Sequence, residues 1–199
     1  MLANGNQPLT NKEKNSKIKK LEKKFGEIID ILGYDRDDPN LIDTPKRIAK
    51  MYINEIFCGN FTEPPKITVF PNTKNANQLL IVGPMSLNSI CVHHFLPFIG
   101  ECYIGYIPKD KVIGISKFSR IMDWFMRRPQ IQEELVEQIA DFIQKELEPL
   151  GCGVYISSQH TCMKVRGVRE ANTLTKDMAL RGNFYELPVK TEFLSLISK

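Results

Sequence analysis

Hydrophobic periodicity changes character near Gly59. Before it, apolar residues recur at helical spacing. Ile18, Leu21, Phe25, Ile28, Ile29 and Leu32 form one stripe over residues 12–32, and Gly33 sits where a C-terminal cap belongs. After the polar break Asp35–Pro39, Thr44-Pro45 reads as a second helix start, with Thr44 as N-cap and Pro45 at the first helical position. Beyond Gly59 the texture is strand-like at 67–70, 79–82 and 112–115. It is clearest at 99–107, where Cys102, Ile104 and Tyr106 alternate with Glu101, Tyr103 and Gly105. Ser116 reads as the N-cap of a helix through Met126, and Pro129 opens another carrying Ile131, Leu135, Ile139, Phe142, Ile143 and Leu147. Residues 151–158 and 163–168 return to strand-like composition. Helices, strands, helices and strands in that order predict an α+β fold rather than a doubly wound parallel sheet. Residues 1–11 read as a flexible tail, 12–60 as an N-terminal helical region and 61–199 as the main, strand-rich domain.

A chain of 199 residues with 42% hydrophobic and 25% charged side chains can build a core and is not a disordered polymer. The net charge of +4 suits an anionic substrate and does not mark a nucleic-acid binder. No apolar run approaches the roughly 18 residues of a membrane span, and the polar N-terminus lacks a signal peptide's apolar stretch. These features predict a cytoplasmic protein with no membrane partner. Five cysteines form an odd set in a mid-sized chain, so thiolate or metal chemistry is expected rather than a disulfide framework.

The chemistry concentrates in two short segments. The chain has three histidines, His93, His94 and His160, and each lies within three positions of a cysteine, in Cys91-Val92-His93-His94 and His160-Thr161-Cys162. A Cys-x-x-His pair with a distant Cys supplies a Cys₂His donor set suited to Zn²⁺, with a fourth position open for chemistry. If Cys91, His94 and Cys162 hold the metal, His93 and His160 remain beside it for proton transfer near neutral pH. Taken singly, each of these residues would more often be a buried hydrophobe or a satisfied core side chain; Cys58, Cys102 and Cys152 are read in that way. A second group is basic. Ser116, Lys117 and Arg120 open a predicted helix, and Lys164, Arg166 and Arg169 follow the second metal segment. Solvated surface charge is the plain reading, and an anion site at a helix start is the functional one. Gln132 and Glu133 stand near another helix start, where a carboxylate can complement the helix dipole or read the N–H edge of a purine.

Taken together, these residues resemble GTP cyclohydrolase I. The segments are Cys91-Val92-His93-His94-Phe95-Leu96-Pro97-Phe98, Tyr106-Ile107-Pro108, Val112-Ile113-Gly114-Ile115-Ser116-Lys117, Arg128-Pro129-Gln130-Ile131-Gln132-Glu133 and His160-Thr161-Cys162-Met163-Lys164-Val165-Arg166-Gly167-Val168. The likeness runs from about Asp43 to Gly182. It implies hydrolysis of the imidazole ring of GTP at C8, release of formate and formation of 7,8-dihydroneopterin triphosphate, the first step towards folate, pterin cofactors or deazaguanine. It implies zinc on Cys91, His94 and Cys162, and proton transfer by His160 with His93 as a second active-site histidine. Triphosphate contacts would come from Ser116, Lys117, Arg120 and Arg166. Glu133 would read the guanine edge with Gln132 beside it. It further implies a tunnelling fold, a four-stranded antiparallel sheet with two helices on one face. Such subunits join into rings as a homodecamer, with active sites at subunit boundaries.

Two places depart from the resemblance: the segment Val82-Gly83-Pro84-Met85, where a charged pair is expected after the valine, and, more sharply, position 92. The family carries Glu between the Cys and the two His, and this chain has Val92. A valine cannot orient a histidine, a water or a basic partner through a charge-assisted hydrogen bond. The alternative is therefore a weakened zinc- and nucleotide-binding ring protein with a regulatory role or a divergent substrate. A zinc nucleobase deaminase is excluded, because its Pro-Cys-x-x-Cys segment is missing.

Overall fold

In a computed structural model the described residues run from Pro8 to Ser198. Most of the flexible tail expected at 1–11 lies outside them. The chain divides into two compact units between Glu63 and Pro64.

The first unit is helical. Helix α1 (Asn11–Ile31) begins one residue earlier than the stripe predicts, because Thr10 and Glu13 form a capping box. The Thr10 hydroxyl oxygen accepts from the Glu13 N–H at 3.3 Å, and the Glu13 carboxylate accepts from the Thr10 N–H at 2.8 Å. Gly33, at φ 79°, takes the left-handed position just past the end of α1, as expected. Helix α2 (Thr44–Met51) continues into a π-helical turn over Tyr52–Ile56. Its cap corrects the sequence reading: Asp43 holds the N-cap position, Thr44 is already helical, and no side chain caps the start. Ile18, Ala49 and Ile53 form the small core of this unit, with Leu21, Phe25 and Phe61 packed on it.

The second unit is built on a five-stranded sheet in the order β5-β2-β3-β6-β7. Strands β2 (Leu80–Cys91), β3 (Pro97–Ile107), β6 (Gly151–His160) and β7 (Thr175–Gly182) are antiparallel neighbours. The two-residue β5 (Pro129–Gln130) lies parallel to the end of β2. A separate ribbon pairs β1 (Val69–Pro71) with β4 (Lys111–Ile113). Helices α3 (Ser116–Met126) and α4 (Gln132–Leu147) share one core with Cys102, Ile104 and Tyr106 of β3 and Cys152, Val154 and Ile156 of β6. The intervening residues face the other way. Tyr103, Ile107, Tyr155 and Leu180 form a second core with Phe184 and with Phe193 and Ile197 of α6 (Leu187–Ile197). The arrangement is α+β, as expected, with α3 and α4 on one face; the sheet departs from the four antiparallel strands expected by adding the short parallel β5 at its edge.

Strand β2 carries a bulge. Val82 pairs with Ile104, but the next pair on β3, Cys102, faces Met85, so one extra residue is absorbed around Gly83-Pro84. Leu80 and Val82 before the bulge, and Met85, Leu87 and Cys91 after it, all belong to the helix-facing core.

Three further expectations are corrected. Pro129 does not open a helix. It pairs with Ile90 in β5, and α4 starts at Gln132. Residues 163–168 are not a strand, because Thr161 opens a short helix, α5 (Thr161–Lys164), anchored by its hydroxyl donating to the Pro97 carbonyl at 2.5 Å. Ser116 is the first residue of α3 rather than its cap, a position held by Ile115 with no side-chain bond.

The α6 side of the sheet depends on a glycine pair. Gly105 and Gly153 face each other across β3 and β6. A Cβ on Gly153 would lie 2.6 Å from the Phe184 ring, and one on Gly105 would lie 2.9 Å from the Phe193 ring. Both rings are fully buried. Gly153→Val is expected to lower unfolding stability by about 1–3 kcal/mol through overpacking. Urea denaturation checks this, and an unchanged midpoint would mean that the two rings do not seat there.

Candidate functional site

The end of β2, the turn after it and the end of β6 meet at one place. The turn is closed by the Phe95 N–H donating to the Cys91 carbonyl and the Cys91 N–H donating to the Leu96 carbonyl, both at 2.9 Å. The Val92 N–H donates to the Gln130 carbonyl at 3.0 Å, so β5 braces the turn. Gln130 is itself held by its side-chain amide donating to the Phe125 carbonyl at 2.9 Å. Across the sheet, Phe98 is paired with His160, and their rings stack at 4.8 Å and 9°. Helix α5 then turns the chain so that Cys162 comes back towards Cys91.

Among the described residues, one group of metal-ligating side chains converges. The ligand atoms of Cys91, His160 and Cys162 all lie within 4.8 Å of one another. Burial, with the neighbouring Cys91 thiol second, pushes the Cys162 thiol above its ordinary range. A cation taking both sulfurs as thiolates would reverse that preference. Two thiols and an imidazole at this separation fit zinc by donor type. His94 does not join the group. It is exposed on the turn, with its ring 6.4 Å from that of His93. His93 is also exposed, with Nδ1 3.7 Å from the Cys91 sulfur. Cys102 and Cys152 are fully buried in the core; burial pushes the Cys152 thiol up to about 12 and the Cys102 thiol higher still.

His160 is held on two sides. Phe98 covers its face, and Nε2 lies 3.0 Å from the side-chain oxygen of Gln132. Burial holds the imidazole below its ordinary pKa, while the Glu133 carboxylate acts in the opposite direction. Gln132 is 1% exposed, and Glu133, the next residue, is open to solvent. The purine-edge pair of the sequence reading is thus split between one buried and one exposed side chain.

The basic residues of α3 are not gathered with the thiols. Ser116 and Arg120 are exposed and Lys117 is half-buried on the first turns of α3. Ser119 touches Met85, whereas Met126 at the other end of α3 touches Asn88 and Ser89. Helix α3 therefore runs alongside β2 with its N-terminus away from Cys91. Its ten steps from Ser116 to Met126 span about 15 Å. A groove of ≈ 840 Å³ lined by Leu80, Tyr106, Val112 and Ile115 borders that helix start. Arg166 is exposed just beyond α5.

The sequence reading missed Phe98, Ser158 and the Thr175 carbonyl, which surround His160 and Gln132. Only the pairing of β3, β6 and β7 brings them there; no local spacing marks them.

The model of the GTP cyclohydrolase I family matches residues 21–198. The chain belongs to that family. The GTP cyclohydrolase 1 of Wigglesworthia glossinidia brevipalpis is 44% identical over 179 residues, covering 89% of this chain and 83% of its own. That of Mannheimia succiniciproducens is 40% identical over 190 residues, covering 94% and 87%. A crystal structure of the archaeosine synthase QueF-Like in the apo form aligns with 54% of this chain and 94% of its own, at 18% identity and a TM-score of 0.41, a likeness too loose to bear on function. Membership of the family makes the chain an enzyme, and no described helix is long and apolar enough to cross a membrane.

Proposed function

We propose that this enzyme hydrolyses GTP at C8 of the purine, releases formate and forms 7,8-dihydroneopterin triphosphate, with Zn²⁺ as its metal. The convergence of Cys91, Cys162 and His160 carries the reading, because ring opening at C8 needs an activated water and a proton donor side by side. Cys91, Cys162 and His94 are assigned as ligands. His94 stands on an exposed turn three residues after Cys91, and the ring of His160 is already committed to Phe98 and Gln132. Bound there, zinc supplies a Lewis acid that makes water a nucleophile near neutral pH.

The chain's own residues supply the rest. His160 protonates N7 of the purine, which makes C8 electrophilic; burial lowers its pKa, so its imidazolium is the stronger acid once it forms. His93 serves as the second proton-handling group. Glu133 reads the N–H edge of the guanine, and Gln132 backs the site. Ser116, Lys117, Arg120 and Arg166 take the triphosphate, whose charge is about −4 at neutral pH. The start of α3 lies far from Cys91 within one chain, so a complete site calls for a second copy. That separation supports the homo-oligomeric ring, a decamer by family resemblance, with sites at subunit boundaries.

The deciding experiment measures formate release from GTP by the zinc-loaded protein, with the pterin followed by absorbance in the same tube. Formate with pterin at a stoichiometry of about one to one is expected. Val92 favours one other reading, a nucleotide-binding protein with weakened chemistry, since its side chain offers no acceptor where the family carries a carboxylate. GTP binding without formate would establish that reading instead.

A further inference from the structure

The hydrogen bonds around Gln132 form a one-way chain of donors and acceptors. The Thr175 carbonyl can only accept, so the Gln132 group 3.1 Å from it is the amide nitrogen. That fixes the amide's orientation and turns its oxygen inwards. The oxygen accepts from the Ser158 hydroxyl at 2.6 Å and faces His160 Nε2 at 3.0 Å. An amide oxygen cannot donate, so Nε2 must carry the hydrogen. Gln132 and Ser158 are both buried, at 1% and 0% exposure, so water does not compete for these bonds. The flat stack on Phe98 fixes the plane of the ring, which keeps Nε2 in line with the amide oxygen.

We infer that Gln132 is a positioning residue for His160: held by Thr175 and Ser158, it keeps the neutral imidazole as the Nε2–H tautomer and leaves Nδ1 as the nitrogen that exchanges protons in the site. This deepens the proposed function, which assigns His160 the proton transfer. It gives Gln132 a role distinct from touching the purine, since its oxygen is taken up by Ser158 and His160 and one of its N–H groups by Thr175. Ser158 is part of the same device through the amide oxygen.

The test needs only three imidazoles to be resolved. Protein labelled with ¹⁵N-histidine is studied by magic-angle-spinning NMR at about pH 8, where ordinary imidazoles are neutral. The His160 signals are assigned from their loss in His160→Asn. The wild-type chain is expected to show His160 protonated at Nε2, and Gln132→Met to show a mixture of tautomers. An Nδ1–H tautomer in the wild type, or an unchanged tautomer in Gln132→Met, would overturn the inference. In the formate assay, Gln132→Met is expected to lower kcat about tenfold with KM for GTP held within about twofold. A raised KM with unchanged kcat would instead make Gln132 a substrate contact. If the wild type releases no formate, the proposed function fails, and the NMR result still decides the tautomer by itself. The wild-type spectrum requires no variant, so a misfolded Gln132→Met leaves it decisive.

Discussion

Cys162→Ala is expected to strip zinc from the protein and to lower formate release by more than about 10³-fold, the largest effect of any single change here. The physical reason is the sparse ligand set. Among the described residues two cysteine sulfurs meet at the end of β2 and the start of α5, and neither Cys102 nor Cys152 can replace one from inside the core. Cys162 is only partly buried, so the fold is expected to survive its truncation. Metal content by inductively coupled plasma mass spectrometry, on protein of normal circular dichroism, checks the first half. Full zinc retention would take Cys162 out of the ligand set. His94→Ala, measured in the same series, is expected to lose zinc as well.

His160→Ala is expected to behave in the opposite way. Zinc content and GTP binding should stay, while ring opening falls by about 10²–10⁴-fold, the usual worth of a positioned proton donor. Isothermal titration with GTP and single-turnover formate release separate the two properties. The outcome is informative because His160, and not His94, lies in the converged group. Zinc lost from His160→Ala and kept by His94→Ala would make His160 the third ligand and leave proton transfer to His93.

Much of this was legible in the sequence because it is local. The stripe of α1 and the glycine after it follow from spacing alone, and so does the alternation of 99–107. The clustering of histidines beside cysteines marked, without any fold, the two segments from which Cys91, His160 and Cys162 converge. Other features were invisible for identifiable reasons. Strand β7 lacks a two-residue period because both faces are covered: Ala179 packs towards α3 and α4, while Met178 and Leu180 pack towards α6. Residues 163–168 look like a strand by composition, but Thr161 binds the Pro97 carbonyl and α5 follows. The Pro129 segment has a helix-start sequence, and pairing with Ile90 overrides it. In the site, the separation of Ser116 and Lys117 from Cys91 depends on the direction of α3 along β2, which no spacing within α3 reveals. The tether on His160 likewise joins β6, α4 and β7, residues up to 43 positions apart.

The bulge in β2 also determines where this lineage can change its length. A regular strand that gains or loses one residue turns every later side chain to the opposite face. Between Met85 and Cys91 such a change would swing the Cys91 sulfur from the helix-facing core to the α6 side, away from Cys162. At Gly83-Pro84 the extra residue is already looped out, so its loss would leave a straight strand with Cys91 still facing inwards. Single-residue insertions and deletions in related genes should therefore gather at this one joint, with the seven positions from Met85 to Cys91 constant in number.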